Sequence, residues 1–202
     1  GTDPTLTDTD EDGFDDGDEV AAGTNPAYEY SHPYTGGYNV GWCDVAPDAT
    51  GKTGESNGQN KTYAPGDVAR NFHLDDQHGE RVDLYSFCGQ YVMIAFGAEW
   101  CPPCQDMAKD VQAIQDEFGP DGFQAIEVLI EDRNGAPPTQ AVLTRWADTY
   151  GMTTIPVLND GGYSEWVDWE VDWVIPTTVF IGPDGTVLSV DEYITDPGRF
   201  MP

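Results

Sequence analysis

Two cysteines with nothing but proline between them, Cys101 and Cys104 in "EWCPPC", are the residues of this chain best suited to chemistry. A pair at that spacing supplies half of a zinc site, a permanent crosslink, or a disulfide made and broken during turnover. Zinc is disfavoured, because the other two cysteines, Cys43 and Cys88, lie 58 and 13 residues upstream of Cys101 and no histidine pair has ligand spacing. The even number permits two disulfides without assigning them.

A second constellation opens the chain. Asp8, Asp10, Asp12, Gly13, Asp16 and Glu19 fit D-x-D-x-D-G-x5-E. That is the spacing of a twelve-residue calcium loop, in which hard carboxylate oxygens suit Ca2+, Gly13 allows the sharp turn and Glu19 closes the site with both oxygens. The Phe14 carbonyl completes the ligand set, Asp16 binds directly or through water, and Asp3 is a further candidate. Without a cation, acids this crowded repel one another. A paired EF-hand is not expected, since "PTLT" before the loop is too short for a helix and only "DEVAAG" after it could form a turn or so.

The surrounding elements are legible from pattern. "YVMIAFGA" is a continuous apolar run, as expected of a central strand buried on both faces. After the cysteines, Met107, Val111, Ile114 and Phe118 recur at helical steps until "GP" at Gly119. "FQAIEVLI" reads as the next strand, "TQAVLTRWADTY" as a helix with Thr139 at its N-cap, and "VIPTTVFIGPDGTVLSV" as a hairpin. "NFHLDDQHGERVDLYSF" is a leading hairpin whose His73 and His78 are expected to be exposed. The layout is α/β, a mixed sheet flanked by helices. Cys101 thus falls just past the central strand, where a helix N-terminus favours a thiolate.

Residues 27–64 are rich in Gly, Asn, Tyr, Thr and Ser and read as a linker or extension, and the Trp beside a Cys in "YNVGWCDV" suggests that this part packs on the domain. "GKTG" lacks the spacing and preceding strand of a phosphate loop. The expected organisation is a calcium-binding segment at 1–26, this extension at 27–64 and a globular domain at 65–202.

With 8 basic against 37 acidic residues, the formal net charge is −29. Such a surface repels phosphate backbones and anionic lipid, so nucleic acid and membranes are poor partners. No apolar run approaches the roughly 20 residues of a membrane span. The chain is expected to be soluble and monomeric, with any export signal already removed.

Two resemblances sharpen these readings. "GTDP" at Gly1 returning as "GTNP" at Gly23, around the calcium loop, resembles a thrombospondin type 3 repeat, which implies a calcium-stiffened extracellular segment with further copies upstream. "FGAEWCPPC", followed about 75 residues later by "VIPTTVFIGPDG", resembles the thioredoxin superfamily, in particular its exported TlpA/ResA-like thiol-disulfide oxidoreductases. That likeness implies a thioredoxin-like fold, Cys101 as attacking thiol, Cys104 as resolving thiol, and Pro176 as a cis-proline facing them. It further implies that the Ile175 backbone pairs with a bound peptide, that Trp100 forms an apolar wall, and that the partners are protein thiols and disulfides with no organic cofactor. Once that pair is assigned, Cys43 and Cys88 remain, and an exported protein rarely leaves two thiols free, so they are expected to form a structural disulfide.

There are departures. Places where the family often carries a proton-moving acid hold Ala95 and Met107, and the nearby Glu99 and Asp106 are expected to be exposed. Trp166, Trp169 and Trp173 are spaced like one helical face and are expected to pack. With Pro102 and Pro103 removing two amide donors, the Cys101 pKa is expected to fall only moderately, toward about 7, which leans toward a reductase. Two other readings stay open: a surface protein whose domain only binds or spaces partners, and a peroxidase, disfavoured because no threonine stands just before Cys101.

Overall fold

A computed structural model of the chain describes residues 2–56, 60–169, 172–191, 193 and 195–202. Gly1 of the opening repeat, 57–59 of the extension, 170–171 of the tryptophan-rich segment, and 192 and 194 near the end lie outside the described residues.

The acidic loop leads into a short helix α1 (Asp16–Ala22), which Gly23 ends in the left-handed conformation at φ 88°. The extension then holds a hairpin, β1 (Gly54–Ser56) with β2 (Asn60–Thr62), where composition suggested only loop. Next comes the expected hairpin of β3 (His73–Asp75) and β4 (Arg81–Asp83), with His73 and His78 exposed.

The main sheet is built from β5 (Tyr91–Ala98), β6 (Phe123–Glu131), β7 (Val157–Asn159), β8 (Thr177–Ile181) and β9 (Val187–Asp191), in the order β7-β6-β5-β8-β9. The pairs β5–β6 and β6–β7 are parallel, and β8 and β9 are antiparallel additions. Helix α2 (Pro102–Phe118) connects β5 to β6, and α3 (Gln140–Tyr150) connects β6 to β7. Both crossovers step the same way across the sheet, so right-handed connections place α2 and α3 side by side on one face, where they touch. This is the mixed thioredoxin-like sheet anticipated from the sequence.

Met107 and Val111 are buried beneath α2, with Ile114 and Phe118 half-buried beside them. Thr139 occupies the α3 N-cap position, although its side chain makes no capping bond. The tryptophan expectation holds for Trp166 and Trp169, buried on the four-residue helix α4 (Trp166–Trp169). It fails for Trp173, which lies beyond the end of α4 and is 56% exposed.

The extension packs on the domain, with Trp42 itself 57% exposed. Tyr28, Tyr34, Tyr38 and Tyr63 are buried instead. Tyr38 donates to buried Asp76 at 2.5 Å, and Asn39 donates to Gln124 and to the Gly119 carbonyl. Cys43 and Cys88 are disulfide-bonded with their Cα atoms 5.8 Å apart, as anticipated.

Candidate active site and acidic loop

The candidate active site forms where β5 ends. Cys101 leaves the strand with extended backbone (φ −85°, ψ 110°) and occupies the N-cap of α2. Pro102 and Pro103 fill the first two helical positions, where a missing N–H costs little and the fixed φ suits the helix. They offer no donor to the sulfur, so the first amide that can reach it belongs to Cys104, which donates to Cys101 Sγ at 3.3 Å. Cys101 and Cys104 are disulfide-bonded, with Cα atoms 5.3 Å apart.

Opposite them, the Ile175–Pro176 peptide is cis, and the Ile175 carbonyl oxygen lies 3.8 Å from Cys101 Sγ. β8 carries this loop to the cysteines by pairing antiparallel with β5. Exposure does not separate the two sulfurs, for Cys101 is 2% and Cys104 1% exposed. What is open is the rim. Trp100, Trp173 and Val174 are three of the exposed large apolar side chains among the described residues, and all stand beside the cysteines or the cis-proline loop. Trp100 is anchored by its indole N–H, which donates to Glu131, and the Tyr163 hydroxyl donates to the same carboxylate.

Glu99 is not the exposed acid expected. Arg133 and Arg145 both pair with it at 2.7 Å, leaving its side chain 11% exposed. Burial works to raise its pKa, but the two guanidinium groups outweigh that and hold it below the usual carboxylate range. Asp106 is exposed, as expected, and pairs with Lys109.

The acid that the sequence reading missed is Glu127 in β6, only 1% exposed. Burial pushes its carboxyl up to about 8, partly offset by the neighbouring Trp146 indole. Neither Glu127 Oε1 nor the indole N–H has a hydrogen-bond partner of normal geometry. The signal was available: a lone acid inside "FQAIEVLI", a run that otherwise reads as buried on both faces.

In the acidic loop, carboxylate oxygens of Asp8, Asp10 and Asp12 converge to within 4.8 Å of one another. Asp8 caps the turn by accepting from the Glu11 and Gly13 amides, and Gly13 takes the left-handed φ of 100° anticipated for it. Asp10 Oδ2, Asp12 Oδ2 and Glu19 Oε2 are buried without partners. Glu19 is fully buried, and that burial, with the charges of Asp12 and Asp10, pushes its carboxyl up to about 8. Orphaned, mutually repelling oxygens fit a hard cation. Both oxygens of Asp16 accept from Thr9. Asp3 is likewise engaged, accepting from Thr5. The Phe14 ring stacks on His32 at 4.8 Å and docks the loop onto the extension.

The AhpC/TSA family model matches residues 65–190, more than half of the chain. The chain belongs to that family. A bacterial TSP3 repeat model matches residues 8–27, over the acidic loop. Within the AhpC/TSA region the chain is similar to the thiol-disulfide oxidoreductase ResA of Oceanobacillus iheyensis, 32% identical over 136 residues that cover 65% of this chain and 66% of that protein. It is also similar to ResA of Halalkalibacterium halodurans, 28% identical over 125 residues, or 62% of this chain and 66% of the relative. The match therefore spans slightly less than two thirds of these relatives' own length. Among solved structures, a putative DsbE thiol:disulfide interchange protein from Chlorobium tepidum superposes with a TM-score of 0.54 at 21% identity, over 68% of this chain and 91% of that one. The thioredoxin domain of an oxidoreductase from Bacteroides vulgatus gives 0.52 at 18%, over 64% and 89%. At such identities these structures establish the thioredoxin-like fold.

Proposed function

We propose that this AhpC/TSA family member is an extracytoplasmic thiol-disulfide oxidoreductase that acts as a reductase of protein disulfides. The observation that carries this reading is the Cys101–Cys104 disulfide at the N-cap of α2, faced by the cis Ile175–Pro176 loop. The helix N-terminus and the Cys104 amide stabilise a Cys101 thiolate. Cys101 attacks a partner disulfide, forming a mixed disulfide and releasing one partner thiolate. Cys104 then attacks Cys101 Sγ, which closes the internal disulfide and expels the second partner thiolate. The partner gains the two electrons that the cysteine pair loses. Trp100, Trp173 and Val174 offer an apolar rim to the partner chain, and the Ile175 backbone is placed to pair with it.

The Cys43–Cys88 bond supports an oxidising compartment, because such crosslinks do not persist among cytosolic thiols. Asp8, Asp10, Asp12 and Glu19 would hold one structural calcium ion, supplied where the ion is abundant, with Phe14 contributing its carbonyl. A calcium ion there would neutralise the crowded carboxylates.

Insulin reduction tests the activity. Cys104→Ser should trap a mixed disulfide through Cys101, and Cys101→Ser should abolish turnover. A wild-type protein without exchange activity would instead favour a binding or spacer module, and peroxide consumption would favour a peroxidase. Calorimetric titration should show one calcium site that Glu19→Ala removes, and no heat at millimolar calcium sinks that assignment.

A further inference from the structure

Cys104 needs somewhere to send its proton. It must become a thiolate to resolve the mixed disulfide, yet it is buried one turn inside α2. The helix-side face of the sheet beneath it is defined by Gly97, where a Cβ would lie 3.1 Å from Cys104 Cβ and 3.2 Å from its sulfur. Side chains alternate along a strand, so Ala95 points to that same face. Ala95 is in parallel register with Glu127. Glu127 therefore projects beneath the same helix, one strand across and two residues back from Gly97, roughly 8 Å between Cα atoms by strand geometry. Its contact with Trp146 of α3 agrees, since α2 and α3 share that face.

We propose that Glu127 accepts the Cys104 proton, directly or through one water, when the mixed disulfide is resolved, and returns it when the reaction runs in reverse. This rests on the oxidoreductase reading above. The step balances. The Cys104 S–H bond breaks and its proton passes to the Glu127 carboxylate. The resulting thiolate forms a bond to Cys101 Sγ while the Cys101–partner S–S bond breaks, and Glu127 afterwards loses the proton to solvent.

Three observations fit the role. Glu127 Oε1 is buried with no partner, so a lone pair is free for a proton. Burial pushes the carboxyl up to about 8, so near neutral pH it can both take up and give back a proton. An open cavity of about 350 Å3 is lined by Trp100, Gln105, Trp146 and Tyr150, so the Trp146 indole beside Glu127 is all that need move to connect the carboxyl to solvent. The surrounding titratable groups do not compete. Tyr150 on α3 has its own pKa raised, chiefly by burial and in part by the Glu127 charge. Asp106 pairs with Lys109 on α2, and Glu99 pairs with Arg133 and Arg145 at the cavity mouth. β5 presents only Ala95 at this register.

The test separates the two chemical steps in stopped-flow reaction with a small aromatic disulfide, comparing wild type with Glu127→Gln. Attack by Cys101 should be unchanged, whereas resolution should slow about a hundredfold near pH 7 and lose its inflection near pH 8. Resolution at the wild-type rate with the wild-type pH profile overturns the proposal. A second measurement is independent of turnover. In Cys101→Ser protein, Cys104 thiolate absorbance should titrate at lower pH once Glu127→Gln is added, by at least half a unit, because a neighbouring negative charge has been removed. An unchanged titration counts against Glu127 even if wild type proves to have no exchange activity, the outcome that would refute the oxidoreductase reading alone. Should Glu127→Gln not fold, Cys101→Ser alone decides, since 13C NMR of the Glu127 carboxyl must then show an inflection shared with Cys104.

Discussion

A buried acid in a core strand sets the pH dependence of folding, and Glu127→Gln isolates its share. In the folded protein the carboxyl is pushed from its ordinary 4.5 up to about 8 by burial. In the unfolded chain it returns to the ordinary value. Folding therefore favours the protonated form, so the Glu127 contribution is fully present below about pH 4.5 and is lost as pH rises toward 8. Each tenfold change in that equilibrium is worth about 1.4 kcal/mol, so the loss is roughly 3 kcal/mol at pH 7 and levels off between about 4 and 5 kcal/mol above pH 8. Glutamine keeps the shape and has no titration. Guanidinium unfolding of the oxidised proteins between pH 5 and pH 9, with both disulfides intact, should give stabilities close together at pH 5. The variant should become the more stable by about 3 kcal/mol at pH 7. The comparison cancels the rest of the acidic surface, which is common to both proteins, and any constant cost of the amide drops out of the pH slope. Stability curves that stay parallel across this range would falsify the buried-carboxyl argument.

Other perturbations test separate parts of the molecule. Replacing Cys43 and Cys88 by serine opens a loop of 45 residues and should cost about 4 kcal/mol in denaturant titrations on the chain-entropy account, with Cys101 reactivity retained. Gly97→Ala pushes a methyl to 3.2 Å from Cys104 Sγ, so it should lower stability by about 1–3 kcal/mol and shift the redox equilibrium of the pair against glutathione. Trp169→Ala empties a fully buried site and should cost about 3–5 kcal/mol. Trp173→Ala should leave the unfolding midpoint nearly unchanged, within about 0.5 kcal/mol, while raising KM for a protein disulfide.

The sheet, the two covering helices and the placement of Cys101 at a strand-to-helix turn were legible because each rests on local pattern. A continuous apolar run, a helical repeat ending at Gly119 and prolines at the first two helical positions are read without knowing what lies across the fold. Trp173 was misread for the converse reason. Spacing places a side chain on a notional face, but only the path of the chain decides whether that face is covered, and α4 ends four residues before Trp173. At closer range, the Thr9 amide and hydroxyl that donate to both Asp16 oxygens are contacts that spacing does not encode.

Glu127 shows the same limit at the active site. Searching along the central strand and just past the second cysteine finds Ala95 and Met107, and stops there because sequence distance stands in for spatial distance. In a parallel sheet the nearest neighbour of Ala95 across the ladder is 32 positions away, at Glu127. The small side chains at Ala95 and Gly97 then acquire a reason. Gly97 leaves room for the Cys104 sulfur, which a Cβ would crowd, and Ala95 sets only a methyl group beside Glu127. A larger residue at position 95 would stand between the carboxyl and the thiol without touching either cysteine's position on α2. Ala95→Leu should therefore impair resolution of the mixed disulfide more than attack by Cys101. Equal slowing of both steps would mean that position 95 serves packing alone.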